Sequence, residues 1–189
     1  MDMTNTLTGR RIAVLAADGV EQAELVEPVK AVRAEGATTE LLSIGDGPVQ
    51  AMNHDVDKAD TFPVDKQVAE ASVDDYDGLV LPGGTTNPDK LRMDASAVAF
   101  VRSFVESGKP VGVICHGAWT LVEADVIRGR VLTSWPSIRT DIRNAGGQVV
   151  DREVVVDGNL TSSRWPDDLP VFCRELVTQF AQGRLHATT

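Results

Sequence analysis

A chain of 189 residues, 42% hydrophobic and 24% charged, has the length and composition of a single soluble globular domain with a sizeable core. Its 28 acidic against 18 basic residues give a formal charge of −10 with no Lys/Arg cluster, so neither a nucleic-acid backbone nor an anionic membrane is expected as a partner. Two cysteines make no disulfide framework, "MDMTNTLTGRR" lacks the apolar core of a signal peptide, and no apolar run approaches the roughly 20 residues of a bilayer span; the expectation is a reduced, cytoplasmic protein.

No repeat, linker or composition shift divides the chain, so one domain is expected over 1–189, with its core over about 11–182 and short flexible termini. "RIAVLA" (11–16) reads as a buried strand. Residues 23–36, "AELVEPVKAVRAEG", place Leu25, Val29 and Val32 on one helical face with Gly36 as the stop; Pro28 is tolerable there only in the first turn or so. "TTELLSIG" predicts a second strand. Residues 48–68, polar and broken by prolines, predict short edge strands or a hairpin. "DGLVLPGG" (77–84) predicts a buried strand ending in a glycine pair, followed by helix-compatible sequence over 88–109.

"PVGVIC" then predicts a buried β-branched strand, and Ala118, Leu121, Val122 and Val126 give the helical spacing of the segment after it. A short strand "VLTS", a helix "SIRTDIRNAGG" and a hairpin over 149–163 turning at Asp157-Gly158 follow. The closing helix, 166–183, has Pro166 at its start and Gly183 as its stop. This alternation predicts an α/β fold, a mostly parallel sheet covered on both faces, with sites at the carboxyl ends of its strands. Loops 17–21, 82–89 and 115–117 leave such ends.

Cys115 therefore stands where a strand turns sharply into a helix. Two readings fit it. Cysteine is among the most buried residue types, so it can be core. A helix N-terminus also lowers a thiol pKa from ~8.5, and the reactive form is the thiolate. "VICHG" resembles a nucleophile elbow, with Gly117 supplying clearance and Val113 in place of the usual small residue. Gly83 and Gly84 free the backbone of the neighbouring strand end to present N–H groups, as an oxyanion hole needs. Glu21 and Glu24 flank a helix start and either line the same crevice or, for Glu21, sit solvated against the helix dipole.

Trp165 and Arg164, after a strand, are candidates for the rim. Trp119 and Cys173 read as core packing. His54 falls in the polar edge region and His186 in a tail expected to fray; three scattered histidines give no metal-ligand spacing, so no metal is expected. The glycine turns lack G-x-G-x-x-G, and no organic cofactor is implied.

Taken in order, "ADGVEQAEL", "YDGLVLPGG", "GKPVGVICHG", "ADVIRGR", "NAGGQVVDREVVVDGNLTSSR" and "PDDLP" resemble the ThiJ/PfpI family, over about residues 11–182 and closest to its PfpI branch of intracellular proteases and general stress proteins. The resemblance implies a flavodoxin-like three-layer α/β sandwich. It implies Cys115 as the reactive cysteine, His116 as its partner, Glu24 as the acid that hydrogen-bonds the thiolate, and the amides of Gly84 and His116 as the oxyanion site. It also implies a carboxylate from a second subunit of a homodimer or higher homo-oligomer. Asp89 matches that carboxylate, shorter than the glutamate of some members and in a loop one residue longer.

Two functions follow from this resemblance. One is a cysteine hydrolase whose thiol attacks a peptide amide or a small carbonyl such as a glycating dicarbonyl adduct; the other is a stress sensor or holdase using the same thiol. Glutamine amidotransferases of similar fold need a late His-x-Glu pair, which "GRLHATT" does not offer.

Overall fold

In the computed structural model the chain is described over residues 6–183; His186 lies outside them. The strands, in chain order, are β1 (Arg11–Leu15), β2 (Val20–Glu21), β3 (Thr38–Ser43), β4 (Val49–Asn53), β5 (Asp57–Phe62), β6 (Lys66–Gln67), β7 (Gly78–Leu81), β8 (Val111–Ile114), β9 (Val131–Leu132), β10 (Gln148–Val149), β11 (Val154–Asp157) and β12 (Leu160–Ser163). The helices are α1 (Gln22–Ala34), α2 (Thr86–Leu91), α3 (Ala95–Glu106), α4 (Ala118–Glu123), α5 (Arg139–Asn144) and α6 (Leu169–Gln182).

Seven strands form the central sheet in the order β11-β12-β8-β7-β1-β3-β6, parallel except for β11 against β12. β1 shows why this sheet needs both faces covered: Ile12 and Val14 pack toward α1 and α6, and Ala13 and Leu15 toward α3 and α4. The period-2 alternation of a strand thus splits one apolar run between two cores, giving the flavodoxin-like α/β sandwich.

Three local expectations change, and a fourth, left between short edge strands and a hairpin, is decided. Pro28 lies past the first turn of α1, where it has no N–H to give the carbonyl of Glu24. The helix-compatible stretch over 88–109 is two helices, because Asp94 caps α3 by accepting the Ala97 N–H at 2.8 Å. The polar region over 48–68 is a hairpin, β4–β5, joined to β2 in a small sheet of its own. The β11–β12 turn is Gly158-Asn159, one residue later than expected, since Asp157 pairs with Leu160 and its carboxylate takes the Val131 N–H at 2.6 Å.

Candidate active site

Cys115 is where β8 leaves the sheet. Leu81 pairs with Val113 on one side and Ser163 with Ile114 on the other, so the ends of "LPGG" and "SSRW" are brought beside the thiol. The chain reverses through a tight 3-10 turn, Cys115–Gly117, and Cys115 takes φ 62°. A non-glycine residue held in this left-handed region costs about 1–3 kcal/mol. Gly117 explains how Val113 is accommodated: a Cβ there would lie 2.6 Å from the Leu81 carbonyl oxygen, 2.9 Å from that of Pro82 and 3.2 Å from Val113 Cγ2.

The glycine pair faces this turn. A Cβ on Gly83 would come to 2.5 Å from Glu24 Oε2 and 2.6 Å from Cys115 Cβ, so a bare backbone is required. Gly84 has φ 79°, and its amide, with that of His116, is turned toward the Cys115 sulfur and favours its charged form. Asn87, fully buried, holds the loops together: its Oδ1 accepts the Ala17 N–H at 2.7 Å and its Nδ2 donates to the carbonyls of Pro82 and Gly83 at 3.0 and 2.9 Å.

Glu24, in the first turn of α1, has no exposed surface. Its Oε2 accepts the Gly83 N–H at 2.8 Å, while Oε1 has no well-formed hydrogen bond. Burial pushes this carboxyl up to about 8, so it is protonated at neutral pH. Burial, and then the negative charge of ionised Glu24, also push the Cys115 thiol up. This opposes the lowering expected of a helix N-terminus, which is weak here because α4 has only 6 residues. The amides of His116 and Gly84 pull the other way, and with Glu24 protonated its repulsion is absent. The two groups therefore titrate as a pair.

The left-handed turn folds His116 back onto its neighbour, with Nδ1 3.3 Å from Cys115 Sγ and Nε2 3.2 Å from Ser137 Oγ. The ring is stacked on Trp135 at 5.5 Å and tilted against Trp119 at 5.3 Å. Burial holds its pKa below the usual histidine value, Asp55 partly opposing, so the imidazole is neutral and able to take a proton.

A cleft of about 490 Å³ opens on the thiol, bordered by Glu24, Gly84, Trp135, Trp165 and the β4–β5 turn. That turn places two consecutive non-glycine residues, His54 (φ 54°) and Asp55 (φ 65°), in the left-handed region. Glu21, buried rather than solvated, anchors it by accepting the N–H of His54 at 3.2 Å and of Asp55 at 3.3 Å. Asp55 Oδ1 in turn accepts the Thr85 N–H at 2.7 Å.

The structure thus brings Cys115, His116, Glu24, Gly83, Gly84 and Trp165 together. Arg164 points elsewhere: its guanidinium forks onto Asp168 at 2.8 and 3.0 Å, reaches Asp151 at 2.9 Å, and lies 4.3 Å from the Trp165 ring centre, bracing that ring from outside the cleft. Asp89 is exposed on α2, and the hydrogen bonds of the His116 ring within the chain go to Cys115 and Ser137 instead. Trp119, half-buried, donates to Asp141 at 2.8 Å and supports His116 besides packing. Cys173 is half-buried on α6, its thiol pushed up to about 11 by burial.

Sequence reasoning missed Trp135, Ser137, Asn87 and the His54-Asp55 turn. Only the last carried a signal. Asn, Asp and His are the residues enriched in left-handed turns, and "NHD" sets three of them between two runs able to pair.

The DJ-1/PfpI family pattern matches residues 10–179. A deglycase of Thermococcus kodakarensis is 41% identical over 167 residues, 88% of this chain and 97% of the other. Protein/nucleic acid deglycase 2 of Escherichia coli is 44% identical over 169 residues, 89% of this chain and 96% of the other. Among solved structures, a two-domain protein of Anabaena variabilis with DJ-1/ThiJ/PfpI-like and ferritin-like domains superposes with a TM-score of 0.85 at 30% identity, covering 95% of this chain and 52% of that one. The chain thus spans about half the length of that two-domain protein.

Proposed function

This chain belongs to the DJ-1/PfpI family, and from that premise we propose that it is a cysteine-dependent hydrolase of deglycase type, removing small carbonyl adducts with Cys115 as nucleophile. The observation that carries this reading is a thiol at a strained strand end, with two backbone amides turned toward it and a buried, protonated carboxyl facing it.

In this reading His116 Nδ1 takes the thiol proton. Sulfur adds to the carbonyl carbon of the adduct, the C=O electron pair moves to oxygen, and Glu24 supplies that oxygen with its proton. The amides of Gly84 and His116 are placed to stabilise charge at this point. The hydroxyl on the neighbouring nitrogen-bearing carbon then returns a proton to Glu24 as it becomes a C=O, the C–N bond breaks, and the amine leaves with the proton held on His116. Loss of the thiol from the remaining carbonyl compound, with the carbinol proton going back to sulfur, frees Cys115. A cleft of about 490 Å³ suits a small carbonyl group better than an extended peptide, which supports deglycase over peptidase action. The redox-sensor alternative draws less support, since it calls for an exposed, low-pKa thiol and Cys115 is only 5% exposed.

The test is release of free amine from a dicarbonyl-modified amino acid, run beside cleavage of a peptide amide. Adduct release that disappears in Cys115→Ser supports the reading. Full activity of that variant, or cleavage confined to the peptide, would refute it.

A homo-oligomer, with Asp89 of a second copy approaching His116, belongs to the same proposal. Its support is the exposure of Asp89; within one chain the orienting partner of His116 is Ser137. Accordingly Ser137→Ala is expected to lower kcat by about tenfold, in the range of a lost hydrogen bond, and Asp89→Asn by less. Kinetics showing the reverse order would hand the orienting role to the second copy.

No helix of the described residues is long and apolar enough to cross a membrane. A cytoplasmic location and a part in stress responses complete the proposal.

A further inference from the structure

Two carboxylates of the cleft take no part in the chemistry described above. Asp55 comes from the β4–β5 turn and Asp167 from the Pro166–Asp168 turn before α6; both border the cleft and both are exposed to solvent. Glu21 and Glu24 border it too, and no lysine or arginine does. Arg164, the cation that lies against Trp165, is held by Asp168 and Asp151. Trp135 and Trp165 meet edge to face at 6.1 Å on the same rim, so aromatic surface lies beside the acids. Trp165 already carries a guanidinium at 4.3 Å. Finally, Glu24 Oε1, fully buried and without a well-formed hydrogen bond, borders the same space.

We propose that Asp55 and Asp167 make this cleft selective for carbonyl compounds that carry a cationic group, an ammonium or guanidinium held against the Trp135–Trp165 rim, and against those that carry a carboxylate or phosphate. Carboxylates around a low-dielectric cleft concentrate its field and raise the local concentration of cations. The aromatic rim adds the attraction of a π face for the same charge. Asp55 is fixed for this role by the Thr85 N–H, and its charge is felt at both Glu24 and His116. The proposal rests on Cys115 being the reacting thiol, and its test keeps the two apart.

Three methanethiosulfonates serve as probes: two of similar size carrying a trimethylammonioethyl or a sulfonatoethyl group, and a smaller one carrying a neutral methyl group. With each, the Cys115 thiolate attacks the sulfenyl sulfur, a disulfide forms, the S–SO₂ bond breaks and methanesulfinate leaves. Peptide mass spectrometry gives separate rates for Cys115 and Cys173. Cys173 borders a different groove, one lined by both Glu27 and Lys30, and serves as the reference thiol. All three probes are compared at the same pH, about 7.5.

The cation-to-anion rate ratio at Cys115 is expected to exceed that at Cys173 by about tenfold. It should fall by roughly threefold in Asp55→Asn and again in Asp167→Asn, and shrink in high salt. Because the readout is a ratio at one sulfur, a general loss of reactivity in a variant does not imitate the effect. Labelling of Cys115 by the neutral probe with a ratio no higher than that of Cys173 overturns the selectivity and leaves the nucleophile standing. A high ratio that neither variant lowers overturns the assignment to Asp55 and Asp167. Failure of all three probes to label Cys115 overturns both the selectivity and the proposed function.

Discussion

Glu24→Gln is expected to slow adduct release by about 10²–10³-fold and to abolish a fall in folding stability expected of the unaltered protein between pH 4.5 and about 8. The loss follows from the proton: glutamine still accepts the Gly83 N–H but has no acidic hydrogen to give a developing alkoxide. The stability effect follows from linkage. Folded Glu24 keeps its proton to about pH 8, because burial disfavours the carboxylate, whereas in the unfolded chain it is lost near 4.5. Between those values the folded state binds more protons, so stability declines as pH rises, and it levels off above about 8. This residue's contribution, greatest below pH 4.5, amounts to a few kcal/mol by order of magnitude. Urea melts of both proteins at several pH values decide the point. Parallel pH profiles would show that Glu24 is ionised in the fold, and would remove the proton donor from the mechanism.

A second large effect is expected at Gly84. In Gly84→Ala the new Cβ collides with the Gly19 carbonyl oxygen and comes to 2.7 Å from the Glu21 nitrogen, in a backbone already at φ 79°. Neither neighbour can yield easily. Gly19 N–H is bonded to the Gln50 carbonyl at 2.8 Å, Ala17 N–H to Asn87 at 2.7 Å, and Glu21 N–H to the Gly83 carbonyl at 3.3 Å. The expected cost is about 3–5 kcal/mol, seen as a Tm lower by roughly 10 °C, with activity lost as the Gly84 amide moves off the sulfur. Gly129→Ala is the matched control, since Gly129 has φ 74° and nothing within 4 Å of the added carbon. It bears only the left-handed penalty, about 1 kcal/mol. Equal melting temperatures for the two variants would mean that the 17–21 loop gives way, and that the approach of "LPGG" to it is not what fixes the oxyanion site.

Much of this was legible from local pattern. Apolar runs of strand length alternating with helical spacing prescribe a parallel sheet, and a parallel sheet places its strand ends, hence Cys115, Gly83 and Gly84, along one edge. Glu24 was legible through family resemblance alone, because nothing in helical periodicity separates it from Glu21. Their roles differ through tertiary placement: one lies under the glycine pair, the other under a turn thirty-odd residues away in sequence. Trp135 and Ser137 left no trace in the pattern. They reach His116 because the segment after β9 passes the end of β8, where the Trp135 N–H donates to the Cys115 carbonyl at 3.4 Å, a proximity set by packing. Arg164 misled for a related reason. Its position after β12 suggested the rim, but Asp168, four residues on, offers a bidentate partner that water on the rim does not match.

The register of β8 between β7 and β12 has a further consequence. The sulfur, the two amides and the glycine pair are not displayed on a loop that can open by itself. They hang from three adjoining strands, of which β7 and β8 are buried along their whole length. In such a molecule the chemistry resides in the part that opens last, with the global free energy of unfolding. Inactivation by heat or denaturant is therefore expected to track loss of the whole domain.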